Sequence, residues 1–106
     1  MFNIKEVDIF ELQQMLDKEG EGISLIDVRS PMEIAQGAID GADHLPLHTL
    51  PYNLDKIPVD RKVIFYCRTG ARSAQACAFV AAQGKDNVYN LRGGIMAWVQ
   101  SGLAVA

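Results

Sequence analysis

The sequence predicts an α/β fold built around a mostly parallel β-sheet. Short apolar runs alternate with segments of helical periodicity, which is the pattern of repeated βαβ units. Residues 62–66 (KVIFY) are continuously apolar after the lysine, as expected of a central strand covered on both faces. The chain has 106 residues and no internal repeat, so we expect residues 1–106 to form a single domain with its own core.

The amino-terminal part is predicted to form a strand, a helix and a second strand. Residues 3–7 (NIKEV) have the pattern of a short edge strand. Asp8 can cap a helix whose apolar residues recur every three or four positions until Gly20 ends it. Residues 23–28 (ISLIDV) then have the composition of a buried strand.

A helix start signal follows this second strand. Ser30 can cap a helix, and Pro31 suits the first helical position. Glu33 stands three residues after the serine and completes a capping box. We expect this short helix to end near Gly37, and residues 42–46 (ADHLP) to form another strand.

The second half of the chain repeats the alternation of strand and helix. An irregular stretch punctuated by prolines is expected as far as Pro58, before the strand at 62–66. Residues 73–83 are predicted to be helical, and residues 87–91 (NVYNL) to form the last strand. Residues 93–102 (GGIMAWVQSG) are predicted to form the last helix, bracketed by glycines.

The helix at 73–83 carries small residues that would let it pack closely against the sheet. The residues expected on that face are Ser73, Ala74, Cys77, Ala78 and Ala81. Cys77 fits this stripe, so we interpret it as a small buried residue rather than as a second reactive thiol. Met96 and Trp98 are expected to belong to the core.

Composition and charge exclude several classes of partner. The formal net charge is −3 and no run of Lys or Arg occurs, so neither nucleic acid nor an anionic membrane surface is expected to bind. No stretch approaches the roughly 20 apolar residues of a membrane span. The amino terminus has acidic residues where a signal peptide needs a basic and an apolar region, so we expect a cytoplasmic protein.

The cysteines and histidines do not have the spacing of a metal site. The two cysteines, Cys67 and Cys77, are expected to be reduced thiols. His44 and His48 are four residues apart, but Pro46 lies between them and zinc would need further ligands. We therefore expect no metal site and interpret both histidines as partly exposed loop residues.

The candidate site lies between the strand at 62–66 and the following helix. Cys67 stands at the carboxyl end of that strand, where ligands bind in open parallel sheets. A tight loop at this place turns backbone N–H groups inward, and the helix amino terminus adds unpaired amides and a positive dipole. Gly70 permits a positive φ within the loop.

A thiol in such a loop should ionise near neutral pH. Cysteine has a pKa of about 8.5, which falls by roughly one to five units at helix amino termini and beside arginine. Two arginines and two hydroxyl side chains accompany Cys67 here and can bind an oxyanion. We predict that Cys67 is a nucleophile and that its anion-binding loop consists of Arg68, Thr69, Gly70, Ala71, Arg72 and Ser73.

The length of the loop favours the transfer of sulfur over the cleavage of a phosphate ester. Phosphatases with a cysteine nucleophile use a C-x5-R loop, whereas four residues separate Cys67 and Arg72 here. The shorter ring matches a single sulfur atom on the cysteine. Cleavage of a phosphate ester would also need a carboxylic acid to protonate the leaving alcohol, and the loop contains none. A phosphatase or arsenate reductase of related fold stays as the weaker alternative.

Three motifs in order resemble those of the single-domain rhodaneses, which are sulfurtransferases. The first signature is LIDVRSPMEIAQGAIDGADHLP at 25–46, the second is CRTGARSAQA at 67–76, and the third is NLRGGIMAW at 90–98. The resemblance covers nearly the whole chain. One position departs from the family, which often has histidine where this chain has Ala38.

The resemblance implies a five-stranded, mainly parallel sheet with helices on both faces, and a persulfide on Cys67 stabilised by backbone amides from Arg68 to Ser73. It also implies structural roles for three charged residues of the first signature. Asp27 would help to hold the active-site loop, and Arg29 would pair with Glu33.

The leading hypothesis is a sulfurtransferase that takes a sulfane sulfur from thiosulfate or a similar small anion. The Cys67 persulfide would then pass this sulfur to cyanide, a thiol or an acceptor protein, with no metal or organic cofactor required. Arg68 or Arg72 would steady the departing sulfite. The alternative from another functional class is a persulfide carrier or docking module within a sulfur relay.

Overall fold

The computed structural model describes residues 4–106 and contains a five-stranded sheet with the order β1-β5-β4-β2-β3. Every strand pairing in it is parallel. The strands are β1 (Glu6–Val7), β2 (Ile23–Asp27), β3 (Asp43–His44), β4 (Lys62–Tyr66) and β5 (Val88–Leu91). The helices are α1 (Ile9–Glu19), α2 (Pro31–Ala35), α3 (Ala71–Ala82) and α4 (Gly94–Gln100). This arrangement confirms the predicted α/β class and the five-stranded parallel sheet.

Helical segments cover both faces of the sheet. On one face, α3 and the short 3-10 turns Leu47–Tyr52 and Leu54–Lys56 enclose alternate side chains of the central strands. On the other face, α1 and α4 pack over the intervening side chains. Because β4 is covered on both sides, Val63, Ile64, Phe65 and Tyr66 are all fully buried.

The predicted caps form at the first two helices. Asp8 accepts a hydrogen bond from the backbone N–H of Glu11 at 2.8 Å, and the Glu11 carboxylate accepts one from the Asp8 N–H at 3.0 Å. Ser30 and Glu33 make the equivalent reciprocal pair around Pro31. These caps supply partners for amides at the ends of the helices, which have none within the helix.

Several predicted boundaries need correction. β1 is shorter than the predicted strand at 3–7, of which residue 3 lies outside the described residues. The β3 strand likewise keeps only two of the residues predicted at 42–46. α3 begins at Ala71 rather than at Ser73, because Gly70 at φ +109° turns the chain directly into the helix. Ala71 and Arg72 are therefore helical residues, not loop residues.

The buried face of α3 also differs from the predicted stripe of small residues. The structure buries Ser73, Ala76, Cys77 and Val80. Ala81, predicted to face the sheet, is exposed, because the helix is rotated so that positions 76 and 80 meet the core. Cys77 itself is 1% exposed, which confirms its interpretation as a small buried residue.

The last helix places its two large side chains differently. Trp98 packs against the core cluster of the α1 and α4 face, as predicted. Met96 is 38% exposed, so its assignment to the core was wrong. The backbone N–H of Met96 donates to Arg68 O at 3.1 Å, which joins this turn of α4 to the residue after Cys67.

No helix among residues 4–106 combines the length and apolar character needed to cross a bilayer. The same described residues contain no group of three or more Asp, Glu, His or Cys side chains able to hold a metal ion. His44 and His48 are both exposed.

Candidate active site

Cys67 lies directly after β4, at the carboxyl edge of the sheet. The strand β4 is central and pairs with β2 on one side and β5 on the other, so the cysteine is enclosed by neighbouring elements. Its side chain is only 1% exposed. The thiol therefore lies in a buried position at the carboxyl edge of the sheet, where open parallel sheets bind their ligands.

The sulfur atom of Cys67 faces the amino terminus of α3. The backbone N–H of Gly70 donates to Sγ at 3.1 Å, and the hydroxyl of Ser73 lies 3.4 Å from the same atom. Glycine suits position 70 because its φ is +109°, a conformation that residues with a Cβ rarely adopt. The loop therefore closes as a tight ring of donors around one sulfur atom.

Burial raises the pKa of the Cys67 thiol, but hydrogen bonds outweigh it and the pKa is lowered overall. The hydroxyl and backbone amide of Ser73 are the strongest of these donors, followed by the amides of Gly70 and Thr69. Thr69 thus contributes its backbone, while its side chain is exposed. The thiolate is favoured by the loop itself, as the sequence predicted for this position.

A chain of buried polar groups supports Ser73 from β5. The Ser73 hydroxyl is also within hydrogen-bond distance of Asn90 Oδ1. The Asn90 amide group donates to Gly70 O at 3.2 Å and to Glu6 Oε2 at 3.0 Å. Asn90 is 2% exposed, and its contacts fix both the loop glycine and the serine. Sequence analysis missed Asn90, although a polar residue in the apolar strand VYNL was a detectable signal.

Arg72 is held by Glu33 in a bidentate ion pair. The two guanidinium nitrogens each donate to a carboxylate oxygen of Glu33 at 2.8 Å. The hydrogen bond from Arg72 is the largest cause that lowers the pKa of Glu33 to about 2. The Glu33 carboxylate thus pairs with Arg72 of α3 and not, as expected, with Arg29, whose guanidinium reaches only the backbone oxygen of Glu33, at 3.5 Å.

Arg29 instead binds Asp27. The Arg29 guanidinium lies 2.7 Å from Asp27 Oδ2, and it also donates to the backbone oxygen of Gly37 at 2.7 Å. Asp27 and Arg29 are both buried, so each charge has the partner that burial requires. The backbone N–H and the guanidinium of Arg29 both donate to the Asp27 carboxylate. The role of Asp27 in holding the Cys67 loop stays a prediction.

Arg68 is the loop cation that has no such partner. Its side chain is exposed, and its guanidinium forms no hydrogen bond or ion pair with another residue between 4 and 106. Its backbone oxygen accepts a hydrogen bond from the Met96 N–H at 3.1 Å. Ala71, the remaining predicted loop residue, is exposed at the start of α3.

Two further residues with structural contacts near the loop were not found from the sequence. Gly94 lies under the loop at φ +58°, and a Cβ there would come within 2.5 Å of the carbonyl oxygens of Cys67 and Arg68. The hydroxyl of the buried Tyr66 accepts a hydrogen bond from the backbone N–H of Ile39 at 3.0 Å. The doubled glycine in NLRGG was the available signal for such a close backbone approach.

Comparison with known proteins places this geometry in a family. The sequence matches the family described as Rhodanese-like domain over residues 9–101. The chain belongs to the rhodanese-like family. A sulfurtransferase of Allochromatium vinosum is 49% identical to this chain over 102 residues, covering 96% of this chain and 94% of the relative.

Two further rhodanese-like relatives extend the comparison. The thiosulfate sulfurtransferase GlpE of Shewanella oneidensis is 32% identical over 98 residues, covering 92% of this chain and 95% of the relative. The structure of the human single-domain sulfurtransferase TSTD1 superposes with a TM-score of 0.83 at 26% identity, covering 92% of this chain and 97% of the other. The rhodanese-like fold and these relatives support sulfurtransferase activity for this chain.

Ala38, the position that departs from the family pattern, pairs through its backbone with the carboxyl-terminal segment. The backbone N–H of Ala106 donates to Ala38 O at 2.8 Å, and the Ala38 N–H donates back to Ala106 O at 3.2 Å. Ala38 is 7% exposed.

Proposed function

We propose that this protein is a sulfurtransferase that carries sulfur as a persulfide on Cys67. The thiolate of Cys67 attacks the outer sulfur of thiosulfate or a similar donor. The new S–S bond forms as the bond within the donor breaks, and the electron pair of that bond leaves with sulfite. The outer sulfur of the persulfide is then taken by cyanide, a thiol or a cysteine of an acceptor protein, which returns the Cys67 thiolate.

The observation that carries this proposal is the convergence of donors on one sulfur atom. The Gly70 amide and the Ser73 hydroxyl lie 3.1 Å and 3.4 Å from Cys67 Sγ. These groups are fixed before any substrate arrives, so they can stabilise negative charge on sulfur without reorganisation. The same donors lower the pKa of the thiol, which raises the fraction of the nucleophilic thiolate.

The two loop arginines have different roles in this proposal. Arg72 is already bound to Glu33 through two hydrogen bonds of 2.8 Å. Arg68 has an exposed side chain that an incoming anion can reach. We therefore assign to Arg68 the contact with the donor oxyanion and the departing sulfite, and to Arg72 the positioning of α2 against the loop.

The ion pairs around the loop do not favour the phosphatase alternative. A phosphatase needs a protonated carboxylic acid near the leaving oxygen. The pKa of Glu33, lowered to about 2 chiefly by its hydrogen bond with Arg72, keeps that carboxylate ionised at neutral pH. Asp27 is bound to the Arg29 guanidinium at 2.7 Å. Glu33 therefore does not offer the proton that phosphate-ester cleavage requires.

The test is to treat the protein with thiosulfate and to locate the added sulfur by mass spectrometry. We expect one extra sulfur on the peptide that contains Cys67, and no transfer to cyanide by the Cys67→Ala variant. Cys77→Ala is the matched control, because burial raises the pKa of Cys77 to about 12 and leaves it unreactive. Sulfur found on Cys77, or transfer that persists without Cys67, contradicts the proposal.

A further inference from the structure

Glu6 of the edge strand β1 contacts the polar group that supports Ser73. Glu6 and Asn90 are register partners in the parallel pairing of β1 with β5, so their side chains lie on the same face of the sheet. The Asn90 amide nitrogen donates to Glu6 Oε2 at 3.0 Å. Glu6 lies outside the three signature motifs, and the proposed reaction assigns it no role. Its position joins a carboxylate side chain that is 34% exposed to the buried surroundings of Cys67.

The acceptors around Asn90 fix the orientation of its side-chain amide. An amide nitrogen has two hydrogens, and Asn90 Nδ2 donates to Glu6 Oε2 and to Gly70 O. Turning the amide over would place Oδ1 against a carboxylate oxygen and a carbonyl oxygen, neither of which has a hydrogen to donate. The bond to the charged carboxylate is the stronger of the two. Asn90 Oδ1 is therefore held towards Ser73.

This orientation makes Asn90 a competitor of Cys67 for the hydrogen of Ser73. Asn90 Oδ1 has no hydrogen, so the Ser73 hydroxyl is the donor in their contact. The same hydroxyl lies 3.4 Å from Cys67 Sγ, and its one hydrogen cannot serve both acceptors fully. The hydrogen bond to Glu6 polarises the amide and makes Oδ1 a better acceptor. Glu6 therefore strengthens the contact of Ser73 with Asn90 at the expense of its contact with the sulfur.

The charge on Cys67 Sγ changes during the proposed reaction, so a second acceptor for the Ser73 hydrogen is useful. Sγ is a thiolate before it attacks the donor, whereas the negative charge of the persulfide lies on the outer sulfur. The hydrogen can then return to Asn90 Oδ1. A thiolate that is bound too strongly is also a poor nucleophile, because nucleophilicity falls as the pKa of the thiol falls. The contact with Asn90 limits how far Ser73 stabilises the thiolate.

Other titratable groups lie on the elements packed around Cys67. They are Asp27, Arg29, Glu33, Arg68, Arg72 and Cys77. Four of these form the two ion pairs described above, each of which is neutral overall. His48, on the turn packed against α3, is exposed. Arg92 Nε lies 3.3 Å from Glu6 Oε1 and holds that carboxylate in place. Among residues 4–106, the carboxylate that Asn90 joins to Ser73 is that of Glu6.

We propose that Glu6 is a positioning residue for the Cys67 nucleophile. Acting through the Asn90 amide, it holds the Ser73 hydrogen partly away from the sulfur and so keeps the thiolate reactive. The inference rests on the proposed function, since it concerns the nucleophile of that reaction. Glu6 lowers the fraction of Cys67 that is ionised and raises the reactivity of the thiolate that is present.

The experiment compares the variants Glu6→Gln and Glu19→Gln with the wild-type protein. The rate of alkylation of Cys67 by iodoacetamide is measured across pH by mass spectrometry, and urea unfolding measures the stability of each variant. Glu19→Gln is the matched control, because Glu19 Oε2 forms a similarly exposed ion pair, 3.2 Å from Lys62 Nζ, at the end of β4 opposite Cys67. Both variants lose one carboxylate and one ion pair, but only Glu6→Gln weakens the contact with Asn90.

We expect opposite changes in the alkylation rate of Glu6→Gln at the two ends of the pH profile. A full hydrogen bond to a thiolate changes the thiolate fraction by about tenfold. Glutamine weakens the competing contact without removing it, so the fraction below the pKa should rise by about two- to fivefold. Each thiolate should react about 1.4- to twofold more slowly, because reactivity follows roughly the 0.4–0.5 power of this change. The rate should therefore rise by about 1.4- to 2.5-fold at low pH and fall by about 1.4- to twofold on the high-pH plateau. Glu19→Gln should keep the wild-type profile.

A double-mutant cycle tests whether Glu6 acts through Ser73. In the Ser73→Ala background, Glu6→Gln should leave the pH profile unchanged, because no hydroxyl hydrogen is left to redirect. High salt makes the same distinction if Ser73→Ala does not fold. Sodium chloride at about 1 M screens exposed charges but not the orientation of an amide, so the effect of Glu6→Gln should persist. An effect that survives in Ser73→Ala, or that salt removes, is a direct effect of charge and overturns the inference.

Treatment with thiosulfate separates this inference from the proposed function. Wild-type protein that gains no sulfur on Cys67 overturns the proposed function and the inference together. Wild-type protein that gains this sulfur, with the same alkylation profile as Glu6→Gln, overturns the inference alone. A Glu6→Gln rate that changes by one factor at every pH also overturns it, because such a change reflects access to Cys67 rather than its ionisation.

Discussion

Replacement of Ser73 by alanine removes a hydroxyl that contacts both Cys67 and Asn90. The Ser73 Oγ lies 3.4 Å from Cys67 Sγ and is also within hydrogen-bond distance of Asn90 Oδ1. A hydroxyl has one hydrogen, so it can donate fully to only one of these acceptors. We expect that ionisation of Cys67 draws this hydrogen towards the sulfur, and that Ser73→Ala therefore raises the pKa of Cys67.

The size of the effect follows from the contacts. A hydrogen bond to a charged group contributes about 1.5–3 kcal/mol, and the long O···S distance places this one at the lower end. About 1.4 kcal/mol corresponds to a tenfold change in an equilibrium, so the thiolate fraction below the pKa should fall about tenfold. Asn90 Oδ1 also loses a donor at a residue that is 2% exposed, which should lower the free energy of unfolding by about 1–3 kcal/mol.

The assay is the rate of alkylation of Cys67 by iodoacetamide as a function of pH, read by mass spectrometry. Cys77 does not interfere, because burial raises its pKa to about 12. Urea unfolding of the same variant measures the loss of stability. Ser101→Ala is the matched control, since Ser101 is exposed at the end of α4.

One combination of results would refute this reasoning. If Ser73→Ala is destabilised while the pH profile of alkylation is unchanged, the hydroxyl serves Asn90 alone and the backbone amides account for the thiolate. The variant Ser73→Thr provides a second check, because it restores the hydroxyl and should recover part of the alkylation rate.

Three further predictions concern the surroundings of the loop. The pKa of Glu33 is lowered to about 2, so its pair with Arg72 stabilises the fold above pH 4.5 and loses this effect as the pH falls towards 2. Glu33→Gln should therefore lower the free energy of unfolding in urea by about 1 kcal/mol at pH 7, after allowance for solvent screening, and by less at pH 2.5. An equal loss at both pH values would contradict this. Gly94→Ala should lower the free energy of unfolding by about 2–5 kcal/mol, because its Cβ would lie 2.5 Å from the Cys67 carbonyl oxygen in a left-handed conformation. A variant with the wild-type Tm would contradict this and show that the backbone moves to make room. Tyr66→Phe should cost about 1–3 kcal/mol in urea unfolding, since a buried backbone N–H loses its acceptor, and a neutral result would mean that another acceptor replaces it.

Local signals in the sequence predicted most of the fold. The capping box of Ser30 and Glu33 is made by residues three positions apart, so the sequence contains both partners. The apolar run at 62–66 identified β4, whereas α3 was predicted to begin two residues later than it does. The candidate nucleophile Cys67 was also predicted from local signals, because a strand end, a glycine and a helix start follow one another closely along the chain.

The errors arose where side chains from distant segments meet. The resemblance implied that Arg29 pairs with Glu33, yet the Glu33 carboxylate binds Arg72, which is 39 residues away. Met96 has the spacing of a core residue, but the close contact of α4 with the Cys67 loop turns it towards solvent. Local spacing cannot show which of several possible partners folding brings closer.

The sequence by itself determined the order of strands and helices, the two capped helix starts and the position of the cysteine loop, because each depends on neighbours along the chain. Only the tertiary structure decided that Asn90 supports Ser73, that Gly94 lies under Cys67, and that Arg72, unlike the exposed Arg68, is paired with Glu33. These features depend on the parallel order of the strands, which brings β5, α2 and α4 to one edge of the sheet. The charge and shape of the site are set there by contacts between segments that are far apart in sequence.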